Sequence, residues 1–443
     1  MKAKILITSV LCILSLCFFL MWMSVYSLNH SEESSPAEAQ DRWLILLYDD
    51  GDFNNGFDAL YAFADEAYAH ENLDILVMQD NFWSPAMMWQ IGTNHEMIPV
   101  KFLGEINMAD AISLEYFLKY ADSRFPGRRV LLCFYDHGGG WWGACIDETN
   151  IKKDSNSPVI LSPANIRSAL EKSRSVDLIC FTAPCLMGSI EAAYELRHNT
   201  EAYVGSENTS GYCYWLGTIR FICDILNSRP NISNHELAQA IVESTAACSQ
   251  VNFPDWFRFS YTMAAVRSDK LDNAINAIGE LCTAILDNPD DSFILFDQSL
   301  GDIRFYANSF ADIIDLFEEA IKRCQNPSLW NSFQKAIDSV RQVVLAEAHG
   351  SELYGSNGLN VYFPPPPDVS FSMFYGDIGN SFAHDAGWFE FLKSYRASWP
   401  NASVSHTGFI IPQTNGFYPP FYNTRWLKPA RRFDPSPKTR DDQ

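Results

Sequence analysis

Basic residues are scarce. Lys and Arg total 32 against 54 Asp and Glu, a formal net charge of −22 at pH 7 over 443 residues. Phosphate recognition needs clustered Lys and Arg, so this balance argues against nucleic acid as a partner. It disfavours anionic membrane surfaces for the same reason. No two cysteines form a C-x-x-C pair, which removes the common spacing of a zinc site. No internal repeat is present. The 11 cysteines include Cys12 and Cys17 in an apolar N-terminal segment. The remainder is odd in number, so complete pairing would leave one thiol free. Cys133 and Cys180 sit in apolar runs and read as small buried hydrophobes. A core of this size closes without disulfides.

What is present begins at the N-terminus. Lys2 and Lys4 precede an apolar run from Ile5 to Tyr26, the pattern of an export signal. The run approaches the roughly 20 residues that span a bilayer. Residues 1–27 are therefore either cleaved after Ser27 or kept as an anchor, and they are the only expected route to a membrane. Either way the rest of the chain lies outside the cytoplasm. Residues 28–41 read as a polar linker.

From Arg42 apolar runs alternate with helical patterns. Strands are predicted at Arg42–Tyr48, Asp74–Met78, Arg129–Tyr135, Val176–Thr182 and Ala202–Ser206. Helices are predicted over Phe57–His70, Ala111–Tyr120, Ser162–Lys172 and Gly188–Arg197. Continuous apolar strands alternating with helices imply an α/β fold with a mainly parallel sheet flanked by helices. Residues 42–268 form this part. Residues 269–398 read as a mostly helical C-terminal extension, with helices at Leu271–Leu286, Ile313–Cys324 and Leu329–Ala348, and a late strand at 358–363. Residues 399–443 are a tail rich in Pro and aromatics, read as docking on its own domain.

Open parallel sheets place their sites at the carboxyl ends of strands. Two strand ends carry chemistry. One runs into Asp136-His137-Gly138-Gly139-Gly140-Trp141, the other into Ala183-Pro184-Cys185-Leu186-Met187-Gly188. Either alone reads as a strand-end turn. Together, Cys185 and His137 make a nucleophile–base arrangement. A thiol just ahead of a helix start would have its thiolate favoured by the helix dipole. The glycine run lets backbone amides approach a developing oxyanion, with Gly138 and Cys185 as donors.

Strand-DHGGGWWG, then strand-APCLMGSIEAAYELR, then YVGSE, resembles the clostripain family of cysteine peptidases. Tyr48–Asn55 (YDDGDFNN), Asp147-Glu148-Thr149 and Gly358–Pro364 (GLNVYFP) agree with that family. The resemblance spans Arg42 to Pro364. It implies a caspase-like fold and hydrolysis of peptide or protein substrates, with His137 and Cys185 matching the family's catalytic pair. It also implies cleavage after Arg or Lys, using an Asp two residues before the nucleophile. Here that position is Ala183, so the sequence departs from the family's basic pocket; Glu207 and Asp147 are the candidates to supply a carboxylate from elsewhere. The resemblance further implies self-processing in the loop bearing Lys152 and Lys153. It needs no cofactor for the chemistry and allows Ca2+, for which Asp49, Asp50 and Asp52 are the acidic candidates. The alternative is a catalytically silent relative acting as a surface binding protein; a structural surface protein is a further one.

Overall fold

The computed structural model describes residues 42–51, 59–81, 84–147, 159–181, 183–210, 212–250, 258–366, 371–376, 380–399 and 404–405. The export segment, the linker, Asp52, Lys152, Lys153 and nearly all of the tail lie outside the described residues.

Nine strands form one sheet: β1 (Trp43–Gly51), β2 (Leu73–Asn81), β3 (Ser84–Ile91), β4 (Met97–Gly104), β5 (Arg129–Tyr135), β6 (Leu178–Phe181), β7 (Ala202–Gly205), β8 (Thr262–Arg267) and, after two short strands, β11 (Val344–His349). Their order is β11-β8-β7-β6-β5-β1-β2-β3-β4. The five central strands, β7, β6, β5, β1 and β2, run parallel. The outer ones are antiparallel to their inner neighbours. The central strands are the apolar runs read from the sequence.

Alternation within β1 sorts side chains onto two faces. Leu44, Leu46 and Tyr48 join one core, beneath helices Ala111–Arg124, Pro163–Lys172 and Ile190–Leu196. Trp43, Ile45 and Leu47 join the other, beneath helices Ala59–Glu66, Tyr212–Ser228 and Asn234–Ser249. Cys133 and Cys180 pair across β5 and β6 in this second core, fully buried. Cys133, Cys145, Cys180, Cys185, Cys223, Cys248, Cys282 and Cys324 are free thiols. Helix starts carry their expected caps. Ser162 Oγ accepts from Asn165 N at 3.2 Å with Pro163 in the first turn, and Ser233 and Glu236 form a capping box.

The C-terminal part packs helices Leu271–Asp287, Pro289–Ser299, Ile313–Ile321, Pro327–Arg341, Ser381–Asp385 and Trp388–Ala397 on the first core. Two features depart from the sequence reading. The helical pattern over Leu329–Ala348 breaks at Arg341, and Val344–His349 becomes edge strand β11 on β8. Ala and Glu favour helix there, but pairing with β8 overrides the local preference. The late strand, β12 (Asn360–Tyr362), does not enter the main sheet. It pairs antiparallel with β10 (Phe310–Asp312), which pairs with β9 (Phe305–Tyr306). Among the described residues no helix is long and apolar enough to cross a membrane.

Candidate active site

β5 and β6 are neighbours, so their carboxyl ends deliver the His137 and Cys185 loops side by side. After β6 the chain turns through Ala183–Gly188. Leu186 takes φ +62°, a left-handed conformation that costs a branched side chain strain. Two backbone bonds hold the turn against the segment after β7: Leu186 N to Asn208 O (2.9 Å) and Gly188 N to Ser206 O (2.7 Å). The approach is tight enough that a Cβ at Gly188 would lie 2.6 Å from Glu207 N. The helix begins only at Ile190, with Ser189 as its cap. Cys185 is therefore set back from the helix start, and the expected dipole assistance to its thiolate does not apply.

The thiol meets Ser210 instead. Ser210 N donates to Sγ at 3.3 Å, and Sγ donates to Ser210 O at 3.5 Å. Ser210 Oγ donates to Ala183 O, tying the same residue to both sides of Pro184.

The His loop folds back on itself as a narrow ribbon. Cys145 N donates to His137 O (3.0 Å) and Gly139 N to Gly143 O (2.8 Å). Gly138 and Ala144 face each other between these bonds, as a non-hydrogen-bonded antiparallel pair. The amide of Gly138 therefore points away from Ala144. On its other side Gly138 lies against the nucleophile turn: a Cβ there would stand 2.3 Å from Cys185 O and 2.8 Å from Cys185 N. Only glycine permits this contact. Trp141, 5 % exposed, anchors the loop by packing on Tyr362 and Tyr375 of the C-terminal part.

Burial sets the electrostatics. Desolvation lowers the His137 pKa to about 4. It raises that of Cys185, assisted by the charge of Asp136 and opposed by the Ser210 hydrogen bonds. At neutral pH the resting pair is thus thiol and neutral imidazole.

The other sequence candidates fall as follows. Ala183 is 6 % exposed and packs in the second core. Glu207 is fully buried; its Oε2 accepts from Gly358 N at 2.9 Å. Burial and the neighbouring Asp312 hold its pKa well above the usual carboxylate range. Asp147 is fully buried and accepts from Met108 N at 2.8 Å. Both acids are engaged in the interior. Asp49 accepts from Gln79 Nε2 at 2.8 Å. Among the described residues no group of three or more His, Cys, Asp or Glu is placed to hold a metal ion.

The roles of two residues were not read from the sequence. Ser210 opens the unusual stretch Ser210–Trp215, near where the resembled family keeps further pocket residues, but its hold on the thiol runs through its backbone, which the sequence does not spell out. Glu191, inside the Cys motif, is buried and accepts from Tyr362 N (2.7 Å), Tyr375 Oη (3.0 Å) and Ser189 Oγ (2.7 Å). An acid one residue into an apolar helix was the available clue. It clamps the nucleophile's helix to the C-terminal part.

The sheet order, its flanking helices and a Cys and a His on adjacent strand ends define a caspase-like cysteine peptidase architecture. Solved structures agree on the fold. A secreted C11 cysteine protease from Bacteroides thetaiotaomicron, bound to an irreversible peptide inhibitor, superposes with a TM-score of 0.59 at 15 % identity, covering 79 % of this chain and 99 % of that one. An inactive zymogen C11 protease from Parabacteroides distasonis gives 0.54 at 16 %, covering 83 % and 99 %. No curated protein matches the chain. The sequence profile of the clostripain family matches residues 58–395. The chain belongs to that family of cysteine peptidases, as the resemblance had implied.

Proposed function

We propose that the protein is an exported cysteine endopeptidase in which Cys185 is the nucleophile and His137 the acid–base partner. The observation that carries this is the seating of Gly138 on the Cys185 peptide, which unites the two loops at one point. On attack, Sγ forms a bond to the scissile carbonyl carbon and its proton passes to the imidazole of His137. The amides of Gly138 and Cys185 donate to the oxyanion. The imidazolium of His137 then hands the proton to the leaving amine as the C–N bond breaks. Water then attacks the thioester carbonyl and passes a proton to His137; the C–S bond breaks, the carboxylic product leaves, and His137 returns the proton to Sγ. No step calls for a cofactor or for Ca2+.

The side chain accepted before the cut is uncharged in this reading. The position two before the nucleophile is Ala183, and Glu207, the nearest acidic candidate in sequence, is engaged by Gly358 and Asp312. Self-cleavage after Lys152 or Lys153 is incompatible with such a pocket. Export rests on the N-terminal segment; a mature chain starting at Leu28 in the culture medium would establish cleavage, and a membrane-retained chain would establish anchoring.

The test exposes the protein and its Cys185→Ala variant to a mixed peptide library under reducing conditions. Cuts made by the parent alone, after uncharged residues, are expected. Cuts after Lys or Arg, or a nick at Lys152 or Lys153 that Cys185→Ala abolishes, refute the specificity and leave the dyad. Ala183→Asp is expected to add cuts after Lys and Arg. Cuts that persist in Cys185→Ala refute the dyad.

A further inference from the structure

Asn360 is a polar residue in the middle of the apolar run GLNVYFP, and it is fully buried. It lies in β12, 174 residues beyond the Cys185 turn, yet its bonds run to that turn. Its Nδ2 donates one hydrogen to Leu186 O (3.1 Å) and the other to Glu207 O (2.8 Å). Its backbone N donates to Gly188 O (2.7 Å). The amide orientation is fixed by its partners: both are carbonyl oxygens, so only the NH2 end can face them. Among the described residues Oδ1 has no partner, so the side chain acts as a donor alone, to the nucleophile turn at Leu186 and to the segment after β7 at Glu207.

Leu186 is the residue that needs holding. It follows Cys185 directly and sits at φ +62°, where a β-carbon is strained. Asn208 grips its N–H from one side and Asn360 its carbonyl from the other. Released from Asn360, Leu186 can relax toward negative φ. That swings Cys185 relative to Gly188 and the helix beyond, and shifts Sγ from its place on Ser210 and the Cys185 amide from its place beside Gly138.

We propose that Asn360 is a positioning residue of the active centre, acting through Leu186 to fix Cys185 and its amide in the geometry that peptide hydrolysis requires. The proposal rests on Cys185 being the nucleophile.

The test uses the full chain with Asn360→Leu, which keeps the size and removes both donors, and Asn360→Ser, whose hydroxyl restores one. Asn357→Ala is the control. Asn357 lies in the same segment but bonds Asp312, through its backbone N at 2.6 Å and its Nδ2 at 3.2 Å, rather than the turn. Two quantities are read: amide exchange of the peptide covering 185–190, and kcat and KM on the best-cut library peptide. Asn360→Leu is expected to speed exchange in that peptide by about tenfold or more. It is also expected to lower kcat about 100-fold with KM within about threefold of the parent. Asn360→Ser recovers part of both. Asn357→Ala lowers the melting temperature without moving kcat by more than about threefold. Unchanged exchange in Asn360→Leu overturns the proposal. So does kcat retained within about threefold, or an equal loss of kcat in Asn357→Ala. Should Asn360→Leu fail to fold, Asn360→Ser decides by the same readings. If the parent cuts no peptide, the peptidase reading fails, and the exchange arm alone still decides whether Asn360 holds the turn.

Discussion

The α-carbon of Gly138 rests on the peptide of Cys185, so close that a β-carbon at 138 would lie 2.3 Å from the Cys185 carbonyl oxygen. One methyl group is enough to push the two loops apart. Gly138→Ala should therefore lower kcat by roughly 100-fold or more, since a misplacement on the order of 1 Å has that effect. Steady-state kinetics on a cleaved library peptide, with a melting curve to show that the fold persists, checks it. Full activity in Gly138→Ala would mean that the loops need not touch.

The resting thiol provides a second prediction. Burial raises the Cys185 pKa and lowers that of His137 to about 4, which favours thiol and neutral imidazole over a thiolate–imidazolium pair at rest. The rate of Cys185 alkylation by iodoacetamide should climb through the alkaline range, without a plateau at about pH 5 to 7. His137→Ala should leave that profile nearly unmoved. An acid-side plateau that His137→Ala removes would show a preformed ion pair.

A third concerns Glu207 and Asp312, two buried carboxyls whose pKa values are both raised. They sit close enough to share one proton, since ionising both in the interior is costly. A raised folded pKa means that the folded protein holds a proton the unfolded chain has given up. The pair's contribution is therefore complete in acid and is lost as pH rises through the folded value. Glu207→Gln keeps an acceptor for Gly358 N and a permanent donor for Asp312. It should melt higher than the parent at about pH 9 and lose that advantage at about pH 5. Parallel melting curves across this range would dismiss the shared proton.

Glu191 yields a fourth. Glu191→Leu strands the amide of Tyr362 and the hydroxyl of Tyr375 in a dry interior, at about 1–3 kcal/mol for each unsatisfied group. Glu191→Gln retains an acceptor and should cost less than Glu191→Leu. Urea denaturation of the two variants measures the difference. Equal losses would locate the effect in packing rather than in hydrogen bonding.

The central strands were legible because burial on both faces leaves no polar positions to interrupt an apolar run, as in Leu44–Leu47 and Val130–Phe134. β3 and β4 were not read. Their side chains are half-exposed and of mixed polarity, so they show neither a continuous run nor a clean alternation. β11 was mistaken for helix because Leu345-Ala346-Glu347-Ala348 carries helix-favouring residues, and only its distant partner β8 makes it a strand. The His and Cys motifs were legible as local patterns at strand ends. The groups that position them were not. Ser210 acts through its backbone, and Asn360 and Glu207 take their meaning from residues more than 100 positions away. As an isolated acid near the nucleophile, Glu207 reads as a pocket carboxylate; its commitment to Gly358 and Asp312 is a tertiary fact.

The bond from Asn360 to Leu186 closes a loop of 174 residues, a contact of very long range. Such contacts form late, after most of the chain's entropy has been surrendered. A chain emerging from the ribosome carries Cys185 and His137 well before it carries Asn360. The nucleophile turn, the Trp141 anchor and edge strand β11 all await the last third of the sequence. The order of synthesis thus sets the order of assembly: both chemical loops are made before the residues that brace them exist.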